Sequence, residues 1–293
     1  MSERTDDALL QSILATYQLR ARITDNMHYC GRWRDWDPQA PPGTAWFHLL
    51  DEGSCLIRCQ GIDQDIRLDG GDMVVLSRGT AHVLLPLDQS PKAEDDFTTM
   101  LCGELSFVSI SGNPVMDALP EVMVVRGNEA DDAFRHIATL LQKEAQTPGL
   151  GSQAVMDKLA DALFVIALRQ YLERSDADRG LFAALADPRL RKALDAIHRD
   201  PGNDWTVASL ADVACLSRTA FAERFAEVLE ETPYQYLTRW RMAEALKLLQ
   251  DPRMSVAHVA TRLGYATEAA FRRSFKRIHG YGPGAVRRAA RAA

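Results

Sequence analysis

Nowhere in its 293 residues does this chain reach the roughly 18 consecutive apolar residues that a membrane-spanning helix needs. Its opening stretch, MSERTDDALLQSILATYQLR, puts Asp6 and Asp7 where a secretory signal carries positive charge, so a cytoplasmic protein with no membrane partner is expected. Cysteine is scarce. Cys30, Cys55, Cys59, Cys102 and Cys215 are odd in number and scattered, which argues against a disulfide framework and for a reducing compartment. Cys55 and Cys59 fall four apart in SCLIRC, about 13 Å along a regular strand and too far to bridge. A CxxC pair and a Ser-His-Asp series are missing. The β-rich half also lacks an H-x-H or H-x-D/E pair from which a two-histidine, one-carboxylate face could be built.

Charge is present in both signs but unevenly spread. Residues 1–185 hold 16 Lys/Arg against 28 Asp/Glu, whereas residues 186–293 hold 18 against 12, within a net charge of −6. An acidic body with a basic C-terminal third is the footprint of nucleic-acid binding on one domain. The length suggests about two domains.

Periodicity divides the chain further. A short amphipathic helix over Ala8–Tyr17 precedes a zone, residues 20–110, of strand-like runs such as TAWFHLL, SCLIRC, DMVVL, AHVLLPL and TTMLCGELSF. Turn signals at Pro41–Gly43, Gly61, Gly70–Gly71 and Ser77–Gly79 separate them, the pattern of an all-β barrel or sandwich. Residues 130–174 switch to helical period in two segments joined by Pro148-Gly149-Leu150-Gly151. Residues 175–187 read as a linker, and a second helical array begins at Asp187.

That array contains an internal repeat. TVASLADVACL from Thr206 lines up with SVAHVATRLGYA from Ser255, and SRTAFAERFAEVLEETP from Ser217 with TEAAFRRSFKRIHGYGP from Thr267. Thr206, Ser217, Ser255 and Thr267 each stand where a helix N-cap belongs. Each copy is thus a short helix, a tight turn and a longer second helix. Phe221/Phe225 and Phe271/Phe275, four apart, put both rings of each second helix on one inward face. Arg218, Thr219, Ala222 and Glu223 in the first copy, and Thr267, Glu268, Arg272, Arg273 and Lys276 in the second, are then left to meet DNA. The intervening segment, PYQYLTRWRMAEALKLLQ, makes a helix of about 25 Å, able to hold two recognition helices about one DNA turn, ~34 Å, apart.

With these residues in view the chain resembles the AraC/XylS family of bacterial regulators over about 190–290. Leu210-Ala211, Ser217, Phe221, Phe225, Pro233, Arg241, Ala245, Leu248-Leu249, Val259-Ala260, Gly264-Tyr265, Phe271, Phe275, Gly280 and Pro283 all fit that pattern. Glu230 departs from it, standing where the family, and the repeat at Gly280, place glycine. The resemblance implies a transcription regulator, either activator (the expected output) or repressor, that binds double-stranded promoter DNA and works with RNA polymerase. The helical pair over 130–174, with Leu159, Leu163, Ile166 and Leu168, is expected to form a homodimer face, the alternative being that it packs on the barrel. Phe47–Cys55, Leu68–His82 and Leu101–Phe107 resemble the cupin-type sensor of one branch of that family, with Gly71–His82 echoing the second cupin motif.

Such a barrel implies an interior that holds a metal or small effector. His48, His82 and Cys102 lie on three different strands and offer donors suited to zinc or another transition metal. The bland alternative is a pair of hydrogen-bonded histidines beside a small buried thiol. The cupin branch is also similar to regulators that respond to reactive chlorine, which makes Cys30 and Cys102 candidate redox residues, against the alternative of inert buried thiols. Cys215 is expected to pack, and His136, His198, His258 and His279 to lie at the surface or at caps. The expected fold is α+β and multidomain: a cupin-like β-barrel with flanking helices over 1–125, a helical pair and linker for dimerisation over 126–185, and an all-α domain with two helix-turn-helix units over 186–293. No catalytic residue is assigned. The rival reading is a cupin-type metal-dependent enzyme fused to a DNA-binding domain.

Overall fold

Strand alternation and helical period in this sequence resolve into two compact units in the computed structural model, which describes residues 3–87, 97–107, 113–174, 179–251 and 253–292. One unit comprises Leu19–Phe107 with Leu119–Ser175, the other Met1–Gln18, Val108–Ala118 and Asp176–Ala293. In chain order the elements are α1 (Glu3–Tyr17), β1 (Leu19–Cys30), β2 (Asp35–Asp37), β3 (Thr44–Glu52), β4 (Ser54–Cys59), β5 (Ile66–Asp69), β6 (Met73–Leu76), β7 (His82–Pro86), β8 (Phe97–Phe107), α2 (Pro114–Ala118), β9 (Val122–Val125), α3 (Asp132–Gln146) and α4 (Ser152–Arg174). Then follow α5 (Gly180–Ala186), α6 (Pro188–Arg199), α7 (Val207–Val213), α8 (Arg218–Leu229), α9 (Pro233–Leu249), α10 (Val256–Arg262), α11 (Glu268–His279) and α12 (Pro283–Ala292).

The strands form two antiparallel sheets, ordered β1-β8-β3-β6-β9 and β2-β7-β4-β5. Alternate residues of each strand point the same way, so Leu50, Ile57, Leu68, Val74, Leu84 and Met100 meet in one buried core between them. The edge strand β1 would expose unpaired N–H groups. Helix α4 covers it: Asp161 accepts from Ala21 N at 2.6 Å, Asp157 from Ile23 N at 3.1 Å, and Gln153 donates to Ile23 O. Helix α3, capped by Asp131, packs on α4. The expected helical pair is therefore present, within the β-rich unit.

In the other unit, one short helix and one longer one on each side, α7 with α8 and α10 with α11, are organised around α9. Phe271 and Phe275 are fully buried with Met242, Leu246 and Leu249 of α9 and Val259 and Leu263 of the preceding helix and turn. Phe221 and Phe225 are likewise fully buried, with Phe225 edge-on to Tyr236. Burying each ring is worth about 1.5–3 kcal/mol. Helix α1 belongs here as well: Leu9, Ile13 and Tyr17 form a buried stripe, Tyr17 meets the Trp240 ring at 6.0 Å, and Thr16 donates to Glu244.

Several expectations need correction. Residues 180–186 are not linker but α5, whose Leu181 and Phe182 are buried and which packs on α8; residues 175–178 lie outside the described residues. Apolar residues on a seven-residue helix found a partner that sequence period alone does not reveal. Helices α1 and α2 group with the helical C-terminal array, not with the barrel, and 126–174 groups with the barrel. His198 and His279 are buried, not superficial: His198 stacks on Trp240 at 3.5 Å and meets the Tyr236 hydroxyl at 2.7 Å, while His279 Nε2 lies 3.2 Å from Met242 O. Burial pushes the His198 pKa down to about 3, so it stays neutral. Cys215 is exposed rather than packed, because it occupies a turn with φ of 55°.

The two recognition helices end alike, in left-handed residues: Gly280 at φ 77° and Glu230 at φ 57°. Glycine takes that conformation freely, whereas a Cβ makes it strained. Replacing Glu230→Gly should therefore stabilise this unit by about 1 kcal/mol, while Glu230→Ala, which keeps the Cβ, should leave it within about 0.5 kcal/mol. The exposed Arg179–Glu230 pair lost in both contributes little. Chemical unfolding of the three proteins checks this, and a glycine variant no more stable than the alanine one contradicts it.

Candidate nucleic-acid interface and metal centre

Each helix-turn-helix copy is set by the same local chemistry. Thr206 and Ser255 cap the first helices, Ser217 and Thr267 the second, each hydroxyl accepting a backbone N–H. The turns match bond for bond. Cys215 N donates to Asp212 O and Leu216 N to Ala211 O; Gly264 N donates to Thr261 O and Tyr265 N to Ala260 O. At Gly264, φ is 75° and a Cβ would come within 2.4 Å of the Gly202 carbonyl oxygen, so this turn requires glycine.

With the phenylalanines buried, the opposite faces stand in solvent. Arg218, Thr219 and Glu223 of the first copy are exposed and Ala222 is half-buried. In the second, Thr267, Arg272, Arg273 and Lys276 are exposed and Glu268 is half-buried. Their charges are not equally available. Arg224 is tied to Asp187 at 3.1 Å and Glu227 at 3.2 Å, and Arg272 to Glu268 at 2.6 Å. Arg273 and Lys276 have no ion pair among the described residues. Uncompensated positive charge thus concentrates on α11, while α8 presents Glu223 at the position of Arg273.

Between the sheets a second constellation forms. His48 on β3 and His82 on β7 are each 1% exposed, and their Nε2 atoms lie 2.7 Å apart. Asp37 Oδ2 on β2 is 3.1 Å from His82 Nε2 and 3.8 Å from His48 Nε2. The β2–β7 ladder pairs Asp37 directly with His82, which aims the carboxylate inward. His82 Nδ1 lies 2.9 Å from the Thr80 carbonyl oxygen, an acceptor only, so it carries the ring proton and leaves a lone pair on Nε2. One proton on His48 Nε2 satisfies the contact between the rings but leaves the Asp37 carboxylate against a lone pair. Three acceptor atoms with a single proton among them attract a cation, either an added proton or a metal ion. Burial, with His82 beside it, pushes the His48 pKa down to about 3, which keeps that imidazole neutral and available as a ligand at pH 7.

The structure therefore brings His48 and His82 together as the sequence suggests, but their third partner is Asp37, with donor atoms of all three within 4.8 Å of one another. Cys102 is near, yet on the other side: its Sγ faces His48 Nδ1 at 3.1 Å, away from the cluster. The expectation that no two-histidine, one-carboxylate set could form is also corrected, since three separate strands supply it without any short motif. A signal existed in the alternation of Asp35-Trp36-Asp37, but three residues are too few to fix a strand's facing.

The candidate redox pair is not brought together. Cys30 is exposed and lies opposite Phe97, while buried Cys102 lies opposite Asp25 on the same β1–β8 ladder. Five residues of strand separate them, about 16 Å, against the ~7 Å limit for a disulfide. Burial, with Asp37 nearby, pushes the Cys102 thiol far above its ordinary range.

A cupin barrel joined to a doubled helix-turn-helix defines a ligand-sensing DNA-binding regulator, and comparison with known proteins agrees. Family models for a cupin and for a helix-turn-helix domain match residues 8–173 and 210–289. The chain is 32% identical to a putative AraC-like transcription regulator of Streptomyces antibioticus, over 95% of this chain and 98% of that one. It is 28% identical to RclR, an RCS-specific transcriptional activator of Escherichia coli K12, over 86% and 88%. A solved DNA-binding dual regulator from Escherichia coli K-12 aligns with 36% of this chain and 93% of its own, at 26% identity and a TM-score of 0.34. The protein belongs to the family of AraC-like transcription regulators. No helix among the described residues is long and apolar enough to cross a membrane.

The unequal charge of α8 and α11 predicts unequal work. Arg273, outward and with no ion pair among the described residues, suits a bidentate guanine contact worth ~1–3 kcal/mol. On a panel of operator variants, Arg273→Ala should weaken binding more than tenfold and relax preference at one base pair. Glu223→Ala should alter sequence preference with non-specific affinity equal or higher, because it removes a charge that phosphates repel. A uniform loss in Glu223→Ala, or unchanged binding in Arg273→Ala, contradicts this assignment of faces.

Proposed function

We propose that this regulator reads duplex promoter DNA through Arg218, Thr219, Ala222 and Glu223 of one unit and Thr267, Glu268, Arg272, Arg273 and Lys276 of the other. On this reading it acts in the cytoplasm as a homodimer that works with RNA polymerase to activate transcription. The observation that carries the reading is the doubled motif with its uncompensated basic face on α11. The Thr267 hydroxyl accepts from Ala270 N and caps the helix, which leaves its O–H free to donate to a phosphate. Dimerisation falls to α3 and α4, where Leu159 and Ile166 remain half-buried while Leu163 and Leu168 are consumed by packing.

The sensing reading rests on the acceptor cluster. Asp37, His48 and His82 would hold a transition metal such as zinc, which would neutralise the three lone pairs and fasten β2, β3 and β7 together. With His48 Nε2 so engaged, its proton resides on Nδ1 and faces Cys102 Sγ, which makes Cys102 a positioning group rather than a ligand. The same ligand set is the one an enzyme would use. Here both histidines are shut from solvent and only Asp37 is partly exposed, at 26% of its side chain, which favours a sensing or structural role over turnover of a substrate.

Protein purified without chelator should carry close to one transition-metal ion per chain by elemental mass spectrometry. His82→Ala and Asp37→Ala should each lose it, and Cys102→Ala should keep it. Metal-free protein, or a loss confined to Cys102→Ala, contradicts the assignment.

A further inference from the structure

The outer face of the four-stranded sheet carries a cleft that neither the DNA faces nor the donor cluster uses. Trp36 on β2 and Arg58 on β4 both pair with Val83 of β7, so the three side chains form one row across the sheet. His82 and Leu84, on either side of Val83, point into the core, which turns this row outward. Val83, Leu85 and Pro86 make an apolar floor, and the segment Arg32-Trp33-Arg34 makes a wall, enclosing about 440 Å³. That lies within the range of roughly 300–1,000 Å³ typical of small-molecule sites.

The wall is held in place. Trp33 stacks on Tyr29 at 4.0 Å and 12°, and the Tyr29 hydroxyl donates to Asp35. Asp35 is thereby engaged away from the cleft. Arg58 is gripped by Asp65 at 2.8 and 2.7 Å, whereas Arg32 and Arg34 are exposed and have no ion pair among the described residues. Beside them Trp36 is 60% exposed. The surrounding unit, Leu19–Phe107 with Leu119–Ser175, holds 14 Lys/Arg against 22 Asp/Glu. Such a surface repels a polyanion such as DNA, while a small anion can enter the local positive cleft.

We propose that this cleft binds a small organic anion with an apolar body, an aryl or alkyl carboxylate. Its carboxylate meets the guanidinium forks of Arg32 and Arg34, and its body lies against Trp33, Val83 and Leu85. Because Arg34 directly precedes β2, such a ligand would act on the strand that carries Asp37.

Calorimetric titration of the full-length protein with 2-naphthoate tests this. One saturable site per chain is expected, and the Arg32→Ala/Arg34→Ala double variant should bind at least tenfold more weakly with an unchanged melting temperature. Val83→Asp, which puts a carboxylate on the floor, should abolish binding independently, and the neutral 2-naphthalenemethanol should bind at least tenfold more weakly than the acid. No saturable heat up to millimolar ligand overturns the proposal, as does equal binding of the alcohol. Unchanged affinity in the double variant overturns it too, and so does displacement by an equal concentration of inorganic phosphate. A double variant that loses non-specific DNA affinity while keeping naphthoate affinity assigns the arginines to DNA, which also overturns it.

Discussion

Burial of Phe221 with Phe225, and of Phe271 with Phe275, fixes the rotation of each recognition helix about its own axis, and the rest of the DNA-reading half follows from that. Losing one such ring costs about 3–5 kcal/mol. An exposed ion pair on the opposite face is worth about 0–1 kcal/mol. The core therefore decides which face looks outward, and the outward face is free to carry whatever the operator demands. This explains how Glu223 and Arg273 occupy equivalent positions with opposite charge in copies that fold alike. Helix α9 supplies the inner surface for both, through Tyr236 on one side and Met242, Leu246 and Leu249 on the other.

The barrel works by the reverse logic. Its core is built of apolar side chains, His48 and His82 are buried beside it with Asp37, and buried polar groups are tolerated only when paired. Thr80 and Cys102 occupy the outer nitrogens of the two rings, so the inner acceptors are left to face one another. A cation relieves that conflict where rearrangement of three strands would be needed otherwise. On the proposed reading, a metal held by these three residues would couple to the fold, since occupancy would change how firmly β2 is held.

Much of this was legible in the sequence because the signals were repeated or periodic. The doubled motif gave four N-caps and four core phenylalanines, and Glu230 against Gly280 announced a left-handed cap that the structure then contains. The barrel's strands and two of its three donors came from alternation plus a cupin-like run. What escaped lay in short or non-local features. Asp37 sits on a three-residue strand with no measurable period. Helix α5, opening at Gly180, has only seven residues. The docking of α1 on Trp240 joins residues more than two hundred positions apart, which no local pattern encodes. His198 and His279 follow the inward helical period, but a histidine's preference for surface or core depends on partners, here Trp240, Tyr236 and the Met242 carbonyl, that only the fold supplies.

The claim on which the account turns is that α11 provides most of the electrostatic grip on DNA. The direct measurement is the salt dependence of full-length protein binding to its own upstream promoter fragment. Each phosphate contact contributes about −0.9 to the slope of log affinity against log salt. Arg273→Ala/Lys276→Ala should therefore flatten the slope by about two contacts' worth, while Glu223→Ala should leave it equal or steeper. A slope unaffected by the double substitution, or a wild-type affinity indifferent to salt, would contradict the account.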